Sequence, residues 1–145
     1  MSGRRPKRNP EEWLMKQALR SHLLADPDIA ALVERRISWA SRPRQDQLPS
    51  IALHRVDGVR DYTMAAPSGL VTSRVQVDCW ATTNKEADRI STAVRGALSG
   101  LRQVIDGVDF QGCFIEVEVD YSEESSAPDE LLHRIQTDYL IWHSE

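Results

Sequence analysis

Residues 74–98, RVQVDCWATTNKEADRISTAVRGAL, change period at their midpoint. Up to Ala81 apolar and polar positions alternate, which predicts a strand with two distinct sides. Val75, Val77, Cys79 and Ala81 then share one side, and Arg74, Gln76, Asp78 and Trp80 share the other. From Ala87 onward the apolar residues recur every three or four, as Ile90, Val94, Ala97, Leu98 and Leu101, which predicts an amphipathic helix. Thr83 and Glu86 have the spacing of a capping box at its start, and Gly100 lies near its end.

The rest of the chain follows the same two periods. A first helix is expected from Pro10, with Glu11 and Glu12 in the turn where the helix dipole favours acids. Trp13, Leu14, Ala18, Leu19 and Leu23 supply its apolar face. The Ala25-Asp26-Pro27 sequence stops it, and Asp26 or Asp28 can cap a short second helix carrying Ile29, Leu32 and Val33. Residues 35–39 read as extended, and Ile51 to Val56 as a strand entered through Leu48-Pro49. Residues 57–69, with Gly58, Pro67 and Gly69, are long for a hairpin turn, so their ends are expected to continue the strands as an extended arm. Further on, Ile115, Val117, Val119 and Tyr121 alternate with Glu116, Glu118 and Asp120, which predicts an acidic outward face. After an exposed loop through 122–130, Ile135, Thr137, Tyr139 and Ile141 alternate with Arg134, Gln136, Asp138 and Leu140. The order α-α-β-β-α-β-β predicts an α+β domain. Its sheet is expected to be mostly antiparallel, four- to five-stranded, with helices packed on one face and a long β-hairpin extension.

Composition narrows the function. The chain has 145 residues, 41% hydrophobic and 28% charged, enough for one domain with a real core. Its formal net charge of −4 argues against a molecule that binds polyanions through its whole surface. Arg4, Arg5, Lys7 and Arg8 crowd the start without an apolar segment behind them. Residues 1–10 therefore read as a flexible basic arm rather than a secretory signal, and 11–145 as the single domain. No apolar run reaches the roughly 18 residues a membrane span needs. Cys79 and Cys113 are too few for a disulfide scaffold, so synthesis in a reducing compartment is the default. Whether the two lie near each other stays open at this level.

Candidate chemistry is thin. His22, His54, His133 and His143 are scattered, without metal-ligand spacing, and His54 with Asp57 reads as surface at a strand end. Cys79 falls on the apolar side of its strand, as a core thiol does. No nucleophile elbow, phosphate-binding loop or dinucleotide fingerprint is present. The acidic pairs at Asp26/Asp28 and Glu123/Glu124 fit a helix cap and a solvated loop. No enzyme, metal or cofactor is expected. An outward face carrying Glu116, Glu118 and Asp120 would repel phosphate, which argues against single-strand nucleic-acid binding there. Trp80 and Trp142 fit protein contacts better, and a mixed charged and aromatic sheet face suits self-assembly.

Four segments also carry a resemblance: LRSHLLADPDIAALVERRI (19–37), LPSIALHRV (48–56), VQVDCWATTNKEADRISTAVRGAL (75–98) and HRIQTDYLIW (133–142). In this order the chain resembles the tail-completion, or tail-terminator, proteins that join head to tail in long-tailed bacteriophages of siphovirus type and in phage-like particles. It departs from them where a glycine commonly precedes the Arg-Ile pair, a place held here by Glu34 and Arg35. The resemblance implies a structural virion protein, assembled in the bacterial host cytoplasm. It implies a homo-oligomeric ring, typically a hexamer, at the head-proximal end of the tail tube. There it would end tube polymerisation and contact the tail tube protein and the head–tail connector or stopper, with DNA only in transit and no membrane involved. On this reading Arg60, Asp61, Tyr62 and Met64 of the 57–69 segment, with Arg74, Trp80 and Trp142, are the expected subunit or tube contacts. Glu116, Glu118 and Asp120 are the expected lumen-facing acids. Two rivals remain: a head–tail connector of adaptor or stopper type, and a small nucleic-acid-binding module acting through the basic arm.

Overall fold

The computed structural model describes residues 10–39, 48–62, 67–124 and 131–144. These form α1 (Pro10–Ala25), α2 (Pro27–Val33), β1 (Ile37–Trp39), β2 (Ser50–Tyr62), β3 (Pro67–Ala81), α3 (Asn84–Leu98), β4 (Gln103–Ile105), β5 (Val108–Glu124) and β6 (Leu131–Ser144). Apart from Pro10, the basic arm lies outside the described residues, as does Met64.

The local signals work as their chemistry requires. Asp26 caps α2, its carboxylate accepting from the backbone N–H of Asp28 at 2.9 Å and of Ile29 at 3.2 Å. Thr83 caps α3, its hydroxyl oxygen accepting from the N–H of Glu86 at 3.2 Å. Ala87, Ile90, Val94 and Leu98 form the buried stripe of α3. In α1 the buried stripe is Met15, Ala18, Leu19 and Leu23, whereas Trp13 and Leu14 are exposed. The expected face is thus rotated, because the positions four apart through Ala18 and Leu19 select Met15 as their neighbour.

The sheet has six strands in the order β1-β2-β3-β6-β5-β4. Every pairing is antiparallel except that of β1 with β2, so the sheet is mixed and larger than the sequence pattern suggested. β1 lies within the segment 35–39 that reads as extended, and β4 has no counterpart in the sequence pattern; both are three residues long and too short to show alternation. The β2–β3 hairpin is long, pairing as far as Tyr62 with Pro67, but it is not a free arm. β6 accompanies β3 up to the pair Leu70–Ser144, so β3 is sheet interior along most of its length.

All three helices pack on one face. Ile51, Leu53, Val75, Val77, Cys79, Ile135, Tyr139 and Ile141 of the sheet join the buried stripes of the helices in one core. Burying each such large apolar side chain contributes roughly 1.5–3 kcal/mol before conformational entropy is charged against it. Among the described residues no helix is long and apolar enough to cross a membrane.

Candidate functional site

The other face of the sheet carries no helix, and its composition depends on irregularities of register, the one at Glu116 above all. On β5, Ile115 pairs with Tyr139 and Val117 with Asp138, so Glu116 is an extra residue in the strand. Such a bulge shifts the alternation by one, and every residue beyond it changes side. Val117, Val119 and Tyr121 therefore turn to the open face, opposite Asp138, Gln136 and Arg134. Glu118 and Asp120 turn to the helix side, in register with Thr137 and Ile135. The expected acidic outward row is corrected accordingly: of Glu116, Glu118 and Asp120, only Glu116 lies on the open face. Glu118 is tied to α3 instead, accepting from Ser91 Oγ at 2.9 Å and pairing with Arg95 at 3.3 Å.

The open face is thus aromatic and apolar along β5. Phe114 is 56% exposed and Val117 50% exposed, with Tyr121 also exposed. Trp142, half-buried on β6, meets Phe114 edge to face with centroids 5.3 Å apart. Gly112 makes that contact possible, because a Cβ there would stand 3.1 Å from the Phe114 ring. Across the sheet, Arg74 on β3 reaches over β6 to pair with Glu116 on β5, and its Nε lies 3.8 Å from Asp57 on β2. Arg74 is therefore an internal tie across the open face as well as a half-buried surface group.

Trp80 lies on the predicted side but is not exposed. At 3% exposure it forms a small second cluster with Ala52 and Leu132. The Arg134 guanidinium covers it, 5.1 Å from the Trp80 ring and 4.4 Å from that of Tyr121. Beside them Asp78 is 2% exposed, with Gln76 Nε2 donating to its carboxylate at 3.1 Å. Arg134 and His54 stand 3.8 and 3.6 Å from the same carboxylate. Burial raises the Asp78 pKa, partly offset by the Gln76 hydrogen bond and the charges of Arg134 and His54. This part of the face is a closed polar and aromatic cluster that stiffens the sheet.

Arg60, Asp61 and Tyr62 end β2, where Arg60 pairs in register with Val71. Val59, two strands away from Trp142 across Thr72, is 65% exposed on the open face. On the helix side of this end of the sheet, Ser73 Oγ and His143 Nε2 are 2.7 Å apart, and Arg55 Nε donates to Ser73 Oγ.

Among the described residues no group of three His, Cys, Asp or Glu is placed to hold a metal ion. Cys79 and Cys113 are both buried free thiols on the core side. They stand in register with Ile135 and Ile141 of β6, roughly 20 Å apart along the strand, too far for a disulfide. Burial pushes the Cys113 thiol up to about 12 and the Cys79 thiol still higher, so neither is an activated nucleophile. A cleft of about 600 Å³ opens between α1 and β1, lined in part by Trp13, Lys16, Arg20 and Trp39. Two of its polar groups hold β1 in place: Arg20 Nε donates to the Ile37 carbonyl at 2.7 Å and Trp39 Nε1 to the Lys16 carbonyl at 3.1 Å.

The fold is shared with a chain in the solved virion of a native gene transfer agent particle, at a TM-score of 0.72 and 17% identity. The match covers 92% of this chain and 97% of that one. No curated protein sequence matches. Residues 17–144 match the family described as tail completion protein gp17, a span that takes in the latter part of α1, both other helices and all six strands. The chain belongs to that family, and is accordingly a structural tail protein of a phage-type particle.

Proposed function

We propose that copies of this protein form a closed ring, a hexamer, at the head-proximal end of a siphovirus-type tail tube. The ring ends tube polymerisation and offers its other side to the head–tail connector. The observation that carries this reading is the family match over 17–144, together with a fold found nearly end to end in a virion particle. The chemistry is compatible. The open face offers apolar and aromatic contact area rather than a reaction centre, as an assembly surface requires.

On this proposal the tip of the β2–β3 hairpin, with Arg60, Asp61, Tyr62 and Met64, contacts a neighbouring subunit or the tube. Trp142 joins that surface directly through its half-exposed ring, and Arg74 through its ties to Asp57 and Glu116. Trp80 contributes from beneath, by holding the Arg134 guanidinium that also stacks on the Tyr121 ring. The carboxylates of β5 border the path of the genome, repelling its phosphates so that DNA passes without being held. Because the bulge divides them, Asp120 and Glu118 do so from the helix side of β5 and Glu116 from the open face.

Sedimentation velocity on the purified full chain tests the proposal. A single closed species of six chains is expected, its mass constant over a wide concentration range. A monomer at every concentration, or a ladder of open polymers, would overturn it.

A further inference from the structure

One carboxylate on the open face is almost cut off from water. Asp78 is 2% exposed, yet it points away from the core that its neighbours Val77 and Cys79 enter. Groups from four strands surround it. Gln76 of its own strand donates to its carboxylate at 3.1 Å, His54 of β2 stands 3.6 Å away and Arg134 of β6 3.8 Å. Tyr121 of β5 lies against the Arg134 guanidinium, 4.4 Å from its ring centroid. Asp138 of β6 adds a second acid, and its Oδ1 is buried with no hydrogen-bond partner among the described residues. Burial raises the Asp78 pKa and the charge of Asp138 adds to the rise, against the Gln76 hydrogen bond and the charges of Arg134 and His54. Arg74, further along β3, is committed to Glu116 and Asp57. Among the described groups facing Asp78, two carboxylates therefore share one guanidinium and one imidazole. The cluster carries surplus negative charge whenever both acids are ionised and His54 is neutral.

A carboxylate already short of water loses the remainder when another surface closes over it, and its charged form is then disfavoured more strongly. The segments outside the described residues, 1–9, 40–47, 63–66 and 125–130, hold no run of large apolar residues with which the chain would cover its own open face. We propose that Asp78 takes up a proton as a neighbouring copy of the chain covers the open face, so that self-association strengthens as the pH falls. The proton comes from solvent and stays on the Asp78 carboxyl. Neutral Asp78 still accepts from Gln76, and Asp138 and Arg134 remain as a pair of balanced charge. This deepens the ring reading and rests on it, since the open face must meet a neighbour.

A state that binds more protons is favoured as the pH falls. Because burial holds the Asp78 pKa above the ordinary 3.8, the window lies above that value. Folding has the same sign. The folded chain holds this proton more tightly than the unfolded one, so the stability it contributes is present in acid and lost as pH rises through the folded pKa. Mild acid thus tightens the assembly without unfolding the subunit through this group.

The test is sedimentation of the full chain over a dilution series at several pH values between about 5 and 8, where folded proteins are usually most stable. The concentration at which the assembly dissociates is expected to fall with pH, by up to about tenfold per pH unit for each proton taken up per contact. Asp78→Asn, similar in shape and uncharged, is expected to associate at neutral pH as the unsubstituted chain does in acid, with the slope lost. His54→Gln is expected to keep the slope, which separates Asp78 from the imidazole beside it. Circular dichroism checks that both variants fold. Calorimetric dilution of the unsubstituted chain in buffers of different ionisation enthalpy counts the protons directly, and uptake on assembly is expected. Association equal at every pH, with no proton taken up, would overturn the inference and leave the ring reading intact. A slope that survives in Asp78→Asn, or vanishes in His54→Gln, would overturn it as well. A protein that sediments as a monomer at every pH and concentration would overturn both.

Discussion

At the end of α2, Glu34 holds a backbone conformation of φ 57° and ψ −112°, a region that glycine enters freely and other residues enter at a cost. The turn is needed because Arg36 and Ile37 must reverse direction to bring β1 beside β2, where Ile51 N–H donates to the Arg36 carbonyl at 2.9 Å. This is where the resembling proteins commonly carry glycine, so the departure noticed in the sequence has a physical consequence. Strain of this kind costs about 1–3 kcal/mol, glycine restores part of that as lost backbone entropy, and the exposed Glu34–Arg36 ion pair is worth little. Glu34→Gly is therefore expected to stabilise the fold by about 1 kcal/mol, read as a rise of a few degrees in thermal midpoint. An unchanged or lowered midpoint would count against strain at this residue.

Elements show most plainly what a sequence reveals and what it hides. α3 was fully legible, because its cap, its apolar stripe and its end all lie within 83–100 and depend on nothing distant. Thr83→Ala is accordingly expected to cost about 1 kcal/mol of stability in urea unfolding, by leaving the N–H of Glu86 without its side-chain acceptor. β3 is legible for the same reason, except that local alternation does not reveal the Ala52, Leu132 and Arg134 side chains that bury Trp80. β5 was misread beyond Ile115. Its residues alternate without a break through Tyr121, and nothing local marks Glu116 as the extra residue. The bulge is set by pairing with β6, where Tyr139 needs Ile115 beside it and Asp138 faces the open side. The β4–β5 hairpin did have a local signal, the Asp106-Gly107 pair, both at positive φ as a two-residue hairpin turn requires. The three-residue β4 before it concealed it.

For the whole molecule, pattern reading reached the α+β class and the placement of helices on one face, since apolar periodicity decides which sides are buried. Strand order was not legible: β6 inserts between β3 and β5, and β1 adds a parallel edge, through contacts between residues far apart in the chain. The candidate surface was half legible. Trp142 lies on the side that the alternation of β6 gives it, whereas Val117 and Tyr121 became surface only through the bulge. Function was legible by resemblance alone, because a structural tail protein has no constellation of reactive groups to read.

The central claim is that this chain closes the growing end of a tail tube. Purified protein mixed with polymerising tail tube protein and viewed by negative-stain microscopy tests it most directly. The account predicts a ring on one end of each tube and tubes that stop lengthening once it is added. Tubes that keep growing past a bare end, with the protein bound to filled heads or to nothing, would contradict it.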